Sequence, residues 1–476
     1  MPAPPPPRGC ALLFGRYRVD ASGRRGRPRQ RGRPRHSVPP AEPPPPDRPS
    51  AAERDDGEGG GTAYSPGMTT GNTTPWARPL SGRDPAEAHR ASTPLELFFD
   101  LTFVVAIASA AAQLHHGLSE GHWNALGGYL FVFFGIWWAW MNYSWFASAY
   151  DTDDVVWRVM TLIGMAGMLV LAAGVPRAFN EGQLGVLILG YVIMRVPMVF
   201  QWSRAARHDP VRARTARTYA TGLAALQFIW VVWALLGQPG GSAFVVALIV
   251  CEVFLPPIAE RHGTTPWHPE HMVERYSLMT IIVLGEVLLS TTGAIGVILD
   301  GGTLSGQLVM TVMGGLLIVF CLWWFYFKHS HAQQLEEDGT RPAFVWGYGH
   351  YLLYAAIAAV GAGLGVCIDV LEHVAHVSSR AATLTLGVPV AVALVVTGYM
   401  HARDVESWQW AVRAGGTAAA VLVVAVAGGE TGLTVLLIAA VLVASLVLYL
   451  VQSDPAPAEQ LHGTTDRSTT SEAQNG

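Results

Sequence analysis

Twelve stretches of about 20 mostly apolar residues follow one another through most of this chain, and they constrain its fold more than any other feature. A helix needs about 20 such residues to cross the hydrocarbon core of a bilayer. Charged residues make up only 14% of the 476 residues, against about 25% in an ordinary soluble domain. The sequence therefore disfavours a soluble enzyme and predicts an all-α integral membrane protein with about twelve transmembrane helices. The predicted spans are residues 95–115, 123–147, 155–175, 184–203, 218–236, 243–260, 272–298, 306–327, 345–366, 381–400, 410–428 and 431–451.

Both ends of the chain are polar. Residues 1–94 contain runs of proline, arginine and glycine without an apolar period, and residues 452–476 are also polar. Such compositions cannot bury enough apolar surface to offset the loss of chain entropy. We therefore expect two disordered tails. An arginine cluster such as the one in the first tail can contact anionic lipid or nucleic acid, but we expect a solvated tail and no nucleic-acid partner.

Arginine and lysine are unevenly distributed between the two sets of loops. One set is basic, whereas the alternate set carries only Arg177 and Arg380. Because basic loops remain in the cytoplasm, the asymmetry predicts cytoplasmic termini and a multi-pass protein of the inner, or plasma, membrane. The basic positions are Arg78, Arg83, Arg90, Arg204, Arg207, Arg212, Arg214, Arg217, Arg261, Lys328, Arg341 and Arg403.

Two halves of the membrane region share sequence features in the same order. Glu96 in the first span matches Glu274 in the seventh at an offset of 178 residues, and a Trp-Trp pair in the second span of each half gives an offset of 186. An even number of spans in each half keeps both halves in the same orientation. The sequence thus predicts two parallel six-helix repeats, at residues 95–261 and 272–451.

Ionisable residues in the first and seventh spans form the candidate intramembrane polar site. Glu96 and Asp100 are four residues apart and share one helix face. The seventh span carries His271, Glu274 and Arg275 near its start and Glu286 about three turns deeper. Charges at membrane depth usually face a cavity or a partner. We predict a shared polar centre on a proton or cation path, with Asp100 and Glu286 as its central groups.

A structural interpretation of the same charges stays open. An acid at a helix start complements the helix dipole, and Thr93 with Glu96 has the spacing of a capping box. Two further charges inside spans, Arg195 and Glu252, are candidate charge partners. Arg195 neutralising a buried acid, or a purely structural ion pair, explains these two residues as well as transport does.

The sequence predicts no metal site and no cofactor. Its four cysteines form no CxxC pair, and the His329/His331 pair lacks a fixed third ligand for zinc. The chain contains no phosphate-binding loop of the Gly-x-x-x-x-Gly-Lys type, which argues against ATP-driven transport by this chain alone.

Residues 92–103 (STPLELFFDLTF) resemble the opening signature of the bacterial low temperature requirement A family. Residues 274–278 (ERYSL) and 281–286 (IIVLGE) resemble its second signature. The resemblance covers about residues 90–450 and implies a membrane protein linked to growth in the cold. The family name implies no biochemical activity.

A weaker similarity concerns Phe99 and Asp100. In a six-plus-six layout they are similar to the Phe-Ser-Asp element of the endolysosomal potassium-channel family. Phe99 stands in place of the serine, and the second half has Ser277 and Leu278 with no aspartate. This departure weakens the channel interpretation.

The expected function is secondary transport or ion permeation, coupled to protons, with the lipid bilayer and an ion or small molecule as partners. Two alternatives remain. A membrane enzyme acting on a lipid-linked substrate would need a cleft, open to the bilayer, that holds a histidine and an acid within hydrogen-bond reach. A sensor or scaffold for the cold response would have its acids paired with Arg195 and Arg275. The oligomeric state is not predicted.

Overall fold

The computed structural model describes residues 75–299, 305–328 and 340–453, apart from residues 86, 88, 89 and 402–404. The C-terminal tail beyond residue 453, most of the predicted N-terminal tail, and the His329/His331 pair lie outside the described residues.

The described part of the chain folds into helices, with no strand among its residues. Twelve helices follow one another in this part, and their bounds are α1 Pro94–Ser119, α2 Ala125–Tyr150, α3 Val155–Glu181, α4 Gly185–His208, α5 Ala213–Leu235, α6 Gly241–Glu260, α7 Pro269–Leu299, α8 Gly306–Phe327, α9 Thr340–Leu371, α10 Ser379–His401, α11 Val405–Ala427 and α12 Thr431–Ser453.

Ten of these described helices are long and apolar enough to cross a membrane. The other two, α2 and α7, have 26 and 31 residues, or about 39 and 46 Å at 1.5 Å per residue. Helix α2 is rich in tryptophan and tyrosine, and α7 carries the charges of the candidate site. The prediction of an all-α membrane protein is confirmed.

Helices α1 and α9 occupy the middle of the bundle. Helix α1 packs against α2, α3, α7 and α9, and α9 additionally contacts α2, α7, α8, α10 and α12. In the most apolar part of α9, 89% of the residues are buried, against 17% in α11. His271 and Arg275 at the start of α7 are fully buried, so this charged start lies inside the bundle, whereas α11 lies at its periphery.

Glycines let α3 and α4 approach closely. A Cβ atom built on Gly190 would lie 2.3 Å from the backbone nitrogen of Leu171 and 2.7 Å from the carbonyl oxygen of Gly167. Close backbone approach through small residues is a common source of helix association in membranes.

Gly190→Ala is expected to lower stability by about 2 kcal/mol, because the added methyl forces the α3 and α4 backbones apart. Gly185→Ala on the same helix is the matched control, since a Cβ there meets no atom within 4 Å. Thermal unfolding of the detergent-purified variants measures the difference. Equal midpoints for the two variants would contradict this account of the helix contact.

The predicted boundary of the disordered N-terminal tail at residue 94 is wrong. The segment from residue 75 packs against the helices, and Leu80 within it is fully buried. Arg83 donates its backbone N–H to the carbonyl of Ala149 at 3.0 Å. Arg90 donates to the carbonyls of Ser148 and Ala147. Carbonyls in the last turn of a helix lack intrahelical partners, and the segment supplies donors to those of α2.

Candidate functional site

The start of α1 is fixed by a capping box. The backbone N–H of Glu96 donates to Oγ1 of Thr93 at 3.3 Å, and the N–H of Thr93 donates to Oε2 of Glu96 at 2.8 Å. The capping role predicted for Glu96 is thus confirmed. The same carboxylate also faces charged groups of α7, so that capping and ion pairing occur together.

Arg275 of α7 clamps Asp100 of α1. Its Nε donates to Oδ2 at 3.0 Å and its Nη2 to Oδ1 at 2.5 Å. The indole Nε1 of Trp140, on α2, donates to the same Oδ1 at 2.7 Å. Arg275 is 0% exposed and Asp100 is 1% exposed. Two parallel N–H···O bonds fix the orientation as well as the distance of an arginine–carboxylate pair.

Glu96 lies on the other side of the same guanidinium. Its Oε1 is 3.1 Å from Nη1 of Arg275 and 3.2 Å from Nε2 of His271. Oε1 and Nη1 are not aligned as a hydrogen bond, so this contact is mainly one of charge. All three side chains are fully buried. We call Glu96, Asp100, His271 and Arg275 the α1–α7 cluster.

The two helices meet in register. Glu96 and His271 are separated by 175 residues, and so are Asp100 and Arg275. The same offset separates Pro94 from Pro269, the first residues of α1 and α7. The helices thus run parallel with their starts at one level. Acids at the third and seventh positions of α1 face basic residues at the third and seventh positions of α7.

The structure brings only some of the predicted site residues together. Glu274 lies outside the α1–α7 cluster and accepts the backbone N–H of Ser92 at 2.9 Å. Glu286 is eleven residues beyond Arg275 on α7, or about 16 Å farther along the helix. Its backbone and Cγ pack against Gly361 of α9. A single polar centre containing both Asp100 and Glu286 is therefore wrong, because helix geometry places them at different depths.

The α1–α7 cluster is unbalanced in charge. It holds two carboxylates and one guanidinium, and it becomes neutral when one proton binds His271 or one of the carboxylates. Uncompensated charge in a buried site is costly. Each helix supplies a complementary part of the cluster, and a proton or another cation is the additional charge that would balance it.

A second buried ion pair joins α4 to α6. Nη2 of Arg195 lies 2.9 Å from Oε2 of Glu252, and Nε1 of Trp138 donates to the same oxygen at 2.9 Å. Nη2 also donates to the hydroxyl of Tyr191 at 2.6 Å. Arg195 lines a cavity of about 30 Å³, room for only one or two water molecules. The predicted charge partners thus pair with each other and not with the α1–α7 cluster.

Two members of the site were not predicted from the sequence. These are Trp140 and His271. The signal for His271 is its i, i+4 spacing from Arg275, which mirrors that of Glu96 and Asp100. No pattern in the sequence indicates that Trp140 reaches Asp100.

Another polar contact joins α1 to α9 at the opposite end of these helices. Nε2 of His115 lies 2.8 Å from Oδ2 of Asp369, and Ser119 donates to the same oxygen at 2.5 Å. The sequence analysis predicted no site at this end of the bundle, and it did not predict the His115–Asp369 contact. Among the described residues no group of three or more His, Cys, Asp or Glu side chains could hold a metal ion.

Asp151 follows α2 near the α1–α7 cluster and is 5% exposed. Burial, together with the charge of Glu96, raises the pKa of the Asp151 carboxyl to about 6 from its usual 3.8. The N–H of Asp153 and the charge of Arg90 act in the opposite direction. The folded protein therefore holds this proton more tightly than the unfolded chain does.

This raised pKa predicts a pH-dependent loss of stability. Between about pH 4 and pH 6 the unfolded chain ionises Asp151 while the folded protein does not, so stability falls as the pH rises, by up to about 3 kcal/mol. Asp151→Asn should be more stable than wild type at pH 8 and nearly equal to it at pH 4. Thermal unfolding at both pH values measures this gap. A gap that does not change with pH would contradict the assignment.

The helices and the buried charges define a class: a multi-pass helical membrane protein with an ion cluster buried in its helical bundle. The model of the family described as "Bacterial low temperature requirement A protein" matches residues 91–452 of this chain. The chain belongs to this family.

One relative is an uncharacterized protein of Rhizobium meliloti (strain 1021). It is 27% identical over 314 residues, which cover 62% of this chain and 73% of the relative. No solved structure matches the chain.

Proposed function

We propose that this protein is a proton-coupled secondary transporter of the plasma membrane, with twelve spans in two parallel repeats and both termini in the cytoplasm. The α1–α7 cluster is its coupling site, and the structure is a closed conformation. One observation carries this proposal. The cluster lies between the first helices of the two halves, and it holds two carboxylates but only one guanidinium.

Helix packing supports the two repeats. In the first half α1 packs against α2 and α3, α3 against α4, and α4 against α5. In the second half α7 packs against α8 and α9, α9 against α10, and α10 against α11. The order of these packed pairs is the same in both halves. The α1–α7 contact then joins equivalent helices, which is where parallel repeats place a shared site.

The cluster has properties that a coupling site requires. A proton that neutralises it would weaken the attraction between α1 and α7 if it binds a carboxylate, or strengthen this attraction if it binds His271. Either change alters the relative free energies of a closed and an open arrangement of the two helices. All four side chains are fully buried or nearly so, which fits a conformation closed to both sides.

One observation favours a different function. Glu96 and Asp100 are paired with Arg275, and Glu252 is paired with Arg195. Paired acids are what a sensor or scaffold without a permeation path would have. The enzyme alternative has a histidine–acid contact between His271 and Glu96, but both side chains are fully buried, and an enzyme would need them in an open cleft.

Ion flux into proteoliposomes under imposed proton, potassium and sodium gradients tests the proposal. We expect wild-type protein to dissipate the proton gradient, and empty liposomes to retain it. Glu286→Gln should reduce this flux less than changes in the α1–α7 cluster, because Glu286 lies outside the cluster. Absence of flux under every gradient would exclude ion permeation and uncoupled proton leak, and it would favour an organic or lipid substrate or the scaffold.

A further inference from the structure

A groove of about 480 Å³ opens between α10, α11 and α12, away from the α1–α7 cluster. Apolar and small side chains form most of its wall, among them Phe325, Leu394, Ala414, Gly416, Ala444 and Leu448. Its deeper polar groups satisfy one another. Oγ1 of Thr417 lies 2.7 Å from Oγ of Ser445, so this part of the groove needs no polar ligand.

Arg413 lines the groove as a cation inside an apolar helix. It lies five residues into the apolar stretch Trp408–Ala427 of α11. Its guanidinium stands 4.8 Å from the centroid of the Trp410 ring. Within the described residues no carboxylate pairs with it. An arginine within a membrane-spanning helix usually pairs with another charged group or with backbone carbonyls.

A second cation lies close to the groove. Nζ of Lys328 is 4.3 Å from the centroid of the Tyr449 ring, and Tyr449 lines the groove. Lys328 follows the end of α8, at the same end of the bundle where α11 begins and α12 ends. Tryptophan and tyrosine are enriched at the level of the lipid headgroups. The cationic end of the groove is therefore at the membrane surface and its apolar part lies deeper.

We propose that this groove binds one acidic phospholipid, with the lipid phosphate against Arg413 and an acyl chain along the apolar wall. Basic pockets between transmembrane helices recognise anionic headgroups, and a guanidinium–phosphate contact is a strong, charge-assisted one. The lipid supplies an anion for Arg413, which has no carboxylate partner among the residues that the structure describes. This binding site is independent of the proposed transport function.

Native mass spectrometry of the detergent-purified full chain tests the site. Phosphatidylglycerol, phosphatidylcholine and glycerol phosphate are added separately, and the lipid-bound fraction is measured. Arg413→Gln removes the cation in the groove, and Arg214→Gln removes an exposed arginine from the same end of the bundle. Gly416→Leu fills the groove, whereas its neighbour Gly415 does not line it, and a Cβ at either glycine meets no atom within 4 Å. Gly415→Leu is therefore the matched control.

We expect wild type to prefer phosphatidylglycerol over phosphatidylcholine by roughly fivefold, the effect of one arginine near a membrane surface. Arg413→Gln should lose this preference, and Gly416→Leu should lose binding of both lipids. Arg214→Gln and Gly415→Leu should behave as wild type. Equal binding of the two lipids by wild type, or unchanged preference in Arg413→Gln, would overturn the proposal. Binding of glycerol phosphate in the absence of lipid would show that the groove recognises a soluble phosphate, and it would overturn the assignment to a phospholipid.

Discussion

Arg275→Met is expected to destabilise the protein by about 3–5 kcal/mol, the usual effect of removing one partner from a buried ion pair. The substitution leaves Asp100 and Glu96 as buried carboxylates without their shared guanidinium. Thermal unfolding of detergent-purified protein, followed by size-exclusion chromatography, measures the loss. Arg275→Met with unchanged stability would contradict the ion-pair description of the α1–α7 contact.

Two further variants show whether charge is the cause. Arg275→Met combined with Asp100→Asn should recover most of the lost stability, because one of the unpaired charges is removed with its partner. If Arg275→Met alone yields no folded protein, recovery in the double variant still identifies charge as the cause. Arg158→Met is the control, since the Arg158–Asp153 pair is exposed and should contribute less than about 1 kcal/mol.

His271→Gln is expected to reduce proton-driven flux in proteoliposomes by at least about tenfold while the protein remains folded. Glutamine removes the one group in the α1–α7 cluster that can add a positive charge, and a positioned proton-transferring side chain typically contributes at least this much to a rate. The dependence of flux on pH should also become flatter. Flux measured between pH 5.5 and pH 8 checks both results.

His376→Gln is the matched control for His271→Gln. His376 contacts Glu120 at 2.7 Å, but it is largely exposed. Its replacement should leave the flux and its pH profile unchanged. Equal losses in the two variants would indicate a general effect of histidine replacement and would remove His271 from the proposed mechanism.

The helices could be predicted from the sequence because hydropathy is a local property. The α1 capping box was also predicted, since Thr93 and Glu96 are three residues apart and belong to one helix turn. The order of the segment from residue 75 could not be predicted. Its stability depends on Leu80 packing and on Arg90 reaching carbonyls at the end of α2, contacts that no local pattern encodes.

The site was predicted in its parts but not in its arrangement. The i, i+4 spacing placed Glu96 and Asp100 on one helix face. The repeat alignment matched Glu96 with Glu274, whereas in the structure Glu96 contacts His271. The difference is three residues, nearly one helix turn, and it is set by how α1 and α7 pack. The contact between Arg195 and Glu252 likewise depends on the packing of α4 against α6.

The most direct test of the coupling role of the α1–α7 cluster is proton flux in proteoliposomes containing Asp100→Asn or Glu252→Gln. Both substitutions neutralise a buried, arginine-paired acid with an amide of the same size, but only Asp100 belongs to the cluster. We predict that Asp100→Asn abolishes the flux and that Glu252→Gln retains it. The two variants are compared in proteoliposomes that contain equal amounts of folded protein. Full flux through Asp100→Asn would contradict the account.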